Sequence, residues 1–157
     1  MSRPEPERIE LIYFPYYLFE LSLLVKGGKQ SVFVASDGVL GNLVFLEMET
    51  LEFVEQADAP RFDFHIDIEK ARAKVLDEYQ WILVKHGFHR KNPPRLEAVT
   101  DMKRLYYPYW MAYYKQRKGY DFKAVDAVSR APVGIPLRGA FLAAFAQQQL
   151  ERPREGS

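Results

Sequence analysis

The sequence predicts an α+β fold with two related antiparallel β-hairpin or meander units, one long central helix and a C-terminal helix. The motif Tyr-Phe-Pro-Tyr-Tyr at residues 13–17 recurs as Tyr-Tyr-Pro-Tyr-Trp at residues 106–110, which is 93 positions later. Between the two copies, apolar residues from Ile68 onward recur every three to four positions, which is typical of a helix. Because an internal repeat constrains the whole architecture, we expect the two units to share one core.

The first unit is predicted to begin with a long strand over residues 8–25, because its odd-numbered positions are largely apolar. Gly27-Gly28 then gives a hairpin turn, and residues 30–35 form the return strand. Proline cannot donate a hydrogen bond to a β-ladder, so Pro15 is expected at a bulge or at an edge position. A short strand over residues 39–45 follows the hairpin.

The second unit follows the central helix. Asp67 is the predicted N-cap of this helix, and Gly87 is the residue at which it stops. A strand over residues 96–116 repeats the aromatic motif, and residues 120–128 return from a turn at Gly119. The two hairpins are expected to pair in one antiparallel sheet, or in two facing sheets, because an isolated hairpin is marginal in water.

One compact domain is expected from the length of 157 residues. Helices should cover the strands, since a sheet buries its apolar face against another layer. The predicted segments are a flexible arm at 1–7, the first hairpin unit at 8–56, the helix with the second hairpin unit at 65–139, the C-terminal helix at 140–150 and a disordered tail at 151–157.

The composition excludes several classes of site. There is no cysteine, so the chain has no disulfide, no thiolate zinc site and no thiol nucleophile. The first eight residues are polar and proline-rich and lack the apolar core of a signal peptide. The most apolar run, residues 11–25, contains Pro15 and Glu20 and is too short for a membrane-spanning helix. We therefore expect a cytoplasmic protein that does not bind a membrane.

Charge is divided along the chain although the net charge is only +1. Residues 45–70 contain eight acidic and two basic side chains, whereas residues 85–118 contain nine basic and two acidic ones. Two solvated faces that partly neutralise each other explain this division. The alternative is a bipolar surface that steers a partner or a second copy of the protein.

The helix and the second hairpin resemble a known family. Residues 68–136 run from a helix through strands to Val125-Asp126-Ala127-Val128-Ser129, which is similar to the Val-Asp-Ala-x-[Thr/Ser]-Gly ending of PepSY-type units. Arg130 stands where that family favours glycine. The resemblance implies a helix-on-sheet module for binding or regulation without a catalytic site of its own, and it transfers no functional residue.

The repeated aromatic motif is the candidate binding site. Its structural interpretation is that proline shapes the strand while the rings fill the core or the contact between the units. Its functional interpretation is a twin groove for an extended peptide, a proline-rich segment or a nucleobase. Tyrosines occupy both faces of the second motif strand, so at least one row should lie at a second interface or in solvent. The candidate residues are Tyr13, Pro15, Tyr16, Tyr17, Tyr106, Pro108, Tyr109 and Trp110.

A second candidate function is single-stranded nucleic-acid binding by the region 85–118. Basic residues interleaved with aromatic ones are the combination that such proteins use to hold phosphates and stack bases. The balanced net charge favours a solvated loop instead. The residues assigned to this alternative are Arg90, Lys91, Lys103 and Arg104.

No catalytic residue, cofactor or metal is predicted. The chain has no nucleophile elbow, phosphate-binding glycine loop or zinc-protease motif. His65, His86 and His89 match no metal-binding spacing, and basic neighbours repel cations there. Asp37 and Asp126 do not coincide under the 93-residue offset, so the repeat should build no carboxylate pair. We expect a non-enzymatic module that recognises a protein partner or itself, most simply as a homo-oligomer.

Overall fold

The structure is a computed structural model, and it describes residues 5–46, 52–54, 60–87 and 91–151. Five antiparallel strands form one sheet and two helices pack on it, which confirms the α+β class. Of the predicted arm and tail, residues 1–4 and 152–157 lie outside this described part. The strands are β1 (Arg8–Val25), β2 (Gly28–Asp37), β3 (Leu43–Val44), β4 (Arg95–Gln116) and β5 (Gly119–Asp126), and the helices are α1 (Ile68–Gly87) and α2 (Ile135–Glu151).

The sheet has the order β3-β2-β1-β4-β5, so the two long strands are neighbours at its centre. β1 and β2 form the first hairpin, and β4 and β5 form the second. In the central ladder Phe14 lies opposite Tyr107, and Tyr13 lies opposite Pro108. Phe14 and Tyr107 are themselves 93 positions apart. The two aromatic motifs therefore pair antiparallel with each other, and Phe14 and Tyr107 form the central pair.

The first motif proline marks the end of a return strand and causes no bulge. The register of β1 on β4 is continuous through Pro15 and shifts further along, after Glu20 and after Ser22. The Pro15 carbonyl accepts a hydrogen bond from the Gly38 N–H at 2.8 Å, just past the end of β2. Because the nitrogen and carbonyl of a strand residue point to the same neighbour, the missing N–H falls where no ladder bond is required.

The helix boundaries follow from local chemistry. Asp67 caps α1, because its Oδ1 accepts a hydrogen bond from the Glu69 backbone N–H at 2.7 Å. α1 ends at Gly87. α2 begins earlier than predicted, since Pro136 in its first turn lacks a donor that the helix would leave unpaired anyway. Among the described residues, no helix is both long and apolar enough to cross a membrane.

The two helices cover opposite faces of the sheet, and each face has its own core. On one face, Phe141 of α2 packs against Phe14 and Tyr109, with ring centroids 4.4 and 5.1 Å apart. On the other face, Ala71 and Val75 of α1 pack against β1. Because side chains alternate along a strand, these faces, here called the α2 face and the α1 face, take alternate residues. In β1 the α2 face buries Ile12, Phe14, Tyr16 and Leu18, and the α1 face buries Tyr17, Phe19, Leu21 and Leu23.

Candidate functional site

Half of the predicted binding residues lie inside the protein. Tyr16 and Tyr109 are buried in the core of the α2 face. Tyr17 is buried under the α1 side, and Pro15 beside it is also buried. The rings of these residues build the core and offer no surface to a partner.

The other four predicted residues lie together on the α1 face. Tyr13 and Pro108 are opposite each other in the central ladder, and Tyr106 and Trp110 lie two positions to either side of Pro108 on β4. Trp110 is 47 % exposed, and the other three are partly buried. A direct binding role therefore stays a prediction for this group.

These four residues lie within or beside a larger part of the α1 face that no described helix covers, here called the open face. Three strands contribute to it, and its side chains lie outside both core clusters. Ile9, near its outer end, is 59 % exposed. The open face comprises Ile9, Leu11 and Tyr13 of β1, Pro108, Trp110, Ala112 and Tyr114 of β4, and Lys123 and Val125 of β5.

The sequence indicated part of this surface. One row of aromatic residues in β4 does lie outside the core, since Tyr107 and Tyr109 are buried on the α2 face while Tyr114 is partly exposed on the open face. Ile9 and Ala112 were not among the predicted site residues, because neither belongs to a motif. Strand alternation could have placed them on the same face as Trp110, but it does not show that this face is uncovered.

The same face of the first hairpin is closed. Tyr17 on β1 and Trp110 on β4 are 93 positions apart and hold the same place in their hairpins. Phe64 packs on the Tyr17 ring with centroids 4.6 Å apart, and the Tyr17 hydroxyl donates to the Ile66 carbonyl at 2.7 Å. Tyr17 is therefore only 1 % exposed, whereas no described residue covers Trp110 in this way.

Cations lie over aromatic rings on and beside the open face. The Arg61 guanidinium is 4.8 Å from the centre of the Tyr106 ring, and the Lys123 ammonium is 5.5 Å from that of Tyr114. Such a placement is favourable because the face of an aromatic ring is negative. It also gives the surroundings of the open face a positive character that suits an acidic group on a partner.

The residues assigned to nucleic-acid binding do not form one surface. Lys103 lies opposite Leu18 on the α2 face, whereas Arg104 lies opposite Tyr17 on the α1 face. Lys91 is exposed ahead of β4, and Arg90 lies outside the described residues. The described cations are not aligned along one groove, which does not favour nucleic-acid binding. This alternative stays a prediction.

A buried tyrosine pair lies near the middle of the α2 face. The hydroxyl oxygens of Tyr16 and Tyr109 are 2.5 Å apart. Burial raises the pKa of both hydroxyls, and the contact with Tyr109 raises the pKa of Tyr16 further. Both groups therefore stay protonated at neutral pH and form a buried hydrogen bond with each other.

Two aspartates hold the turns that follow β2 and β5. The buried Asp37 carboxylate accepts hydrogen bonds from the backbone N–H groups of Leu40 and Asn42 at 2.6 and 2.8 Å. The Asp126 carboxylate accepts one from the Val128 N–H at 2.8 Å. The Asp126 carboxylate also accepts a hydrogen bond from the Tyr107 hydroxyl at 2.8 Å, so both aspartates have a structural role in their turns. The turn at Asp37 also makes β3 shorter than the strand predicted at 39–45.

Asp37 and Asp126, which do not coincide under the 93-residue offset, nevertheless hold matching places in the two hairpins. Asp37 lies opposite Tyr16, and Asp126 lies opposite Tyr109, the residue 93 positions after Tyr16. Both hairpins turn over two residues, but the ladder of the second is two residue pairs shorter, so the return strands are 89 positions apart (37 to 126) while the outgoing strands are 93 apart. Counting with one offset through the turn hides the equivalence.

Within the described part of the chain, no group of three or more His, Asp or Glu side chains is placed to hold a metal ion. His65 and His86 belong to this part, and His89 lies outside it.

No family model, no curated protein and no solved structure matches the chain. Functional inference therefore rests on the geometry of the chain itself.

Proposed function

We propose that the protein is a non-enzymatic, cytoplasmic binding module whose open face receives a protein partner, either another protein or a second copy of itself. The observation that carries this proposal is the exposure of Trp110 at 47 % against 1 % for Tyr17, its counterpart in the first hairpin. The exposed rings and aliphatic side chains keep apolar area in water. A partner that covered this area would gain the free energy of removing it from water.

The proposal includes a duplication. The two hairpins are related units, and the long helix α1 joins them. The Gly38 N–H donates to the Pro15 carbonyl at 2.8 Å, and the Ala127 N–H donates to the Pro108 carbonyl at 3.1 Å. A matching pair of backbone contacts therefore follows each motif proline. The PepSY-type resemblance belongs to the same proposal, because residues 68–136 form a helix, two strands and an aspartate turn in that order.

A protein partner is favoured over nucleic acid because the neighbours of the exposed tryptophan are aliphatic. Trp110 lies between Leu11 on β1 and Val125 on β5. A single-stranded nucleic acid needs a line of cations for its phosphates beside the stacking rings. Arg61 and Lys123 instead lie over tyrosine rings.

Site-specific photo-cross-linking tests this function. A photo-reactive phenylalanine analogue is placed at position 110, and in a matched control at Phe33, which is 45 % exposed on the α2 face. We expect a discrete protein adduct from position 110 and none from position 33. Adding Ile9→Asp, which places a charge on the open face, should abolish the adduct while circular dichroism shows an intact fold.

Equal adduct formation from both positions would contradict the proposal, because it would indicate non-specific contact. Insensitivity of the adduct to Ile9→Asp would contradict it as well. An adduct that contains RNA or DNA instead of protein would favour the nucleic-acid alternative.

A further inference from the structure

Both tryptophans of the chain are exposed. Trp110 lies on the open face, and Trp81 lies on α1, where it is 70 % exposed. Tryptophan is enriched at the energetic centres of protein interfaces, and a surface without a partner has little use for it. The exposure of Trp81 therefore indicates a second contact surface, on the helix.

α1 carries apolar residues on two opposite sides. The inner side packs on the sheet through Ala71, Val75 and Tyr79. The outer side projects to solvent, and its residues recur at intervals of four, four and three positions, which places them on one side of a helix. This outer stripe consists of Ala73, Asp77, Trp81 and Val84.

We propose that the outer stripe of one copy docks on the open face of a second copy. This inference rests on the proposed function and names its partner as the same chain. Within one chain the two surfaces cannot meet, because α1 packs its inner side on the sheet and its outer stripe therefore points away from the sheet that carries the open face. Each copy thus offers one stripe and one face, and the contact is head-to-tail, which builds a ring or an open chain of copies.

The two surfaces match in size. From Ala73 to Val84 the outer stripe rises by about 16 Å, at 1.5 Å per helical residue. The open face is three strands wide and runs over about three side-chain intervals, which gives about 14 Å by about 20 Å. One helix side therefore fills the face along its length without leaving Trp110 in water.

The two surfaces also match in charge. Asp77 lies in the middle of the outer stripe and has no ion-pair partner among the described residues. Lys123 lies on the open face beside Tyr114, and the acid next to it on β5, Asp121, makes its ion pair with Arg138 and not with Lys123. Docking brings this acid and this base onto one interface, where opposite charges fix the orientation of the helix.

The contact is small, so the assembly should be reversible. A sheet area of about 14 Å by about 20 Å is well below the roughly 800 Å² per partner of a stable interface. We therefore expect monomers in dilute solution and larger species only as the protein concentration rises.

Two single variants and their mixture test the proposal. Trp81→Ala removes the centre of the stripe and keeps the open face, whereas Trp110→Ala removes the centre of the face and keeps the stripe. In sedimentation velocity over a concentration series, each variant alone should stay at the monomer mass of 18.3 kDa where the wild type assembles. The equimolar mixture should form a heterodimer and stop there, since one intact stripe meets one intact face.

Leu142→Ala is the matched control, because Leu142 is exposed on α2 and belongs to neither surface. This variant should assemble as the wild type does. All three variants replace exposed side chains, so circular dichroism and thermal unfolding should report an unchanged fold.

A wild type that stays monomeric at every concentration would overturn the inference. A mixture that stays monomeric while the wild type assembles would overturn it too, because it would indicate a symmetric contact or another surface. In either case a protein adduct from position 110 to a different protein would leave the proposed function standing. Loss of that adduct as well would remove both.

Discussion

The two hairpins have matching strand pairing, but a helix covers the α1 face of the first hairpin and none of the described helices covers the same face of the second. Phe19 in the first hairpin is fully buried under α1, whereas Ala112, 93 positions later, lies on the open face. On the α2 face the cover is reversed. Phe122 of the second hairpin is 6 % exposed under α2, whereas Phe33, in the matching place opposite Glu20, is 45 % exposed.

Strand pairing therefore follows the internal repeat, whereas the face on which each helix packs depends on the length of the connection before it. α2 begins two positions after Val133, the residue that matches Val44, and a short connection keeps the helix on the near face. α1 begins 24 positions after Val44. Its longer connection passes the edge of β1, where Phe62 joins the core of the α2 face and Phe64 packs on the α1 face.

The largest effect is expected for Phe19→Ala, which removes a fully buried ring beneath α1. The free energy of unfolding should fall by about 3–5 kcal/mol, because the transfer term and the cavity term add. The matched change on the open face, Ala112→Phe, should alter it by less than about 0.5 kcal/mol. Urea denaturation measures both, and similar losses in the two variants would show that the open face is covered after all.

Next in size is Asp37→Ala. It orphans several backbone N–H groups in a buried turn and should cost about 3 kcal/mol. Asp126→Ala removes the acceptor of the Tyr107 hydroxyl and of turn N–H groups that are exposed to water, so it should cost only about 1–2 kcal/mol. Thermal unfolding of the two variants compares the turns directly. An equal cost would contradict the difference in burial.

A smaller effect is expected for the tyrosine pair. Tyr16→Phe or Tyr109→Phe alone leaves one buried hydroxyl without its partner and should cost about 1–3 kcal/mol. The double variant should cost clearly less than the sum, because no hydroxyl is then left unpaired. A double-mutant cycle by denaturation measures the coupling, and simple additivity would refute a direct hydrogen bond.

The same pair sets a dependence on pH. Burial raises the folded-state pKa of Tyr16 and Tyr109 above the unfolded value near 10, so the unfolded chain loses these protons first. The contribution of the two tyrosines to the free energy of unfolding is fully present below about pH 10. Above this pH, each tyrosine should lower this free energy by about 1.4 kcal/mol for every pH unit. Tyr16→Phe/Tyr109→Phe should flatten this fall in unfolding measured between pH 9 and about pH 11.

The smallest effect concerns the residue that ends each aspartate turn. Gly41 and Arg130 both adopt left-handed backbone angles, with φ of 79° and 64°. Arg130→Gly should stabilise the protein by at most about 1 kcal/mol, since relief of strain is partly offset by backbone entropy. Gly41→Ala should destabilise it, because alanine is strained at a φ of 79° and its Cβ would also have to displace the Ile66 Cδ1 atom. A lower melting temperature for Arg130→Gly would contradict the claim that the left-handed backbone at Arg130 is strained.

The sequence allowed the long strands and α1 to be predicted because each shows a single strong period. The alternation in β1 and the helical spacing after Asp67 depend on local burial, which a sequence records directly. One antiparallel sheet that contains both hairpins was one of the two arrangements expected from the repeat.

The open face could not be predicted, because strand alternation shows two faces without showing which one a helix covers. Trp110 and Tyr109 look alike in the motif, and only the placement of α1 and α2 separates them. The match of Asp37 with Asp126 was hidden by the shorter ladder of the second hairpin, since a change in hairpin length shifts every later residue.

The central ladder between β1 and β4 has a consequence for how the chain folds. It joins Arg8 to Tyr113 and Leu24 to Arg95, residues that are 105 and 71 positions apart. Each hairpin closes over a short turn and can form within microseconds, whereas the chain entropy lost in joining the hairpins delays the central ladder. We expect that joining step to limit the folding rate. Until it occurs, the aromatic rows of both hairpins stand in water, so the refolding yield should fall as the protein concentration rises.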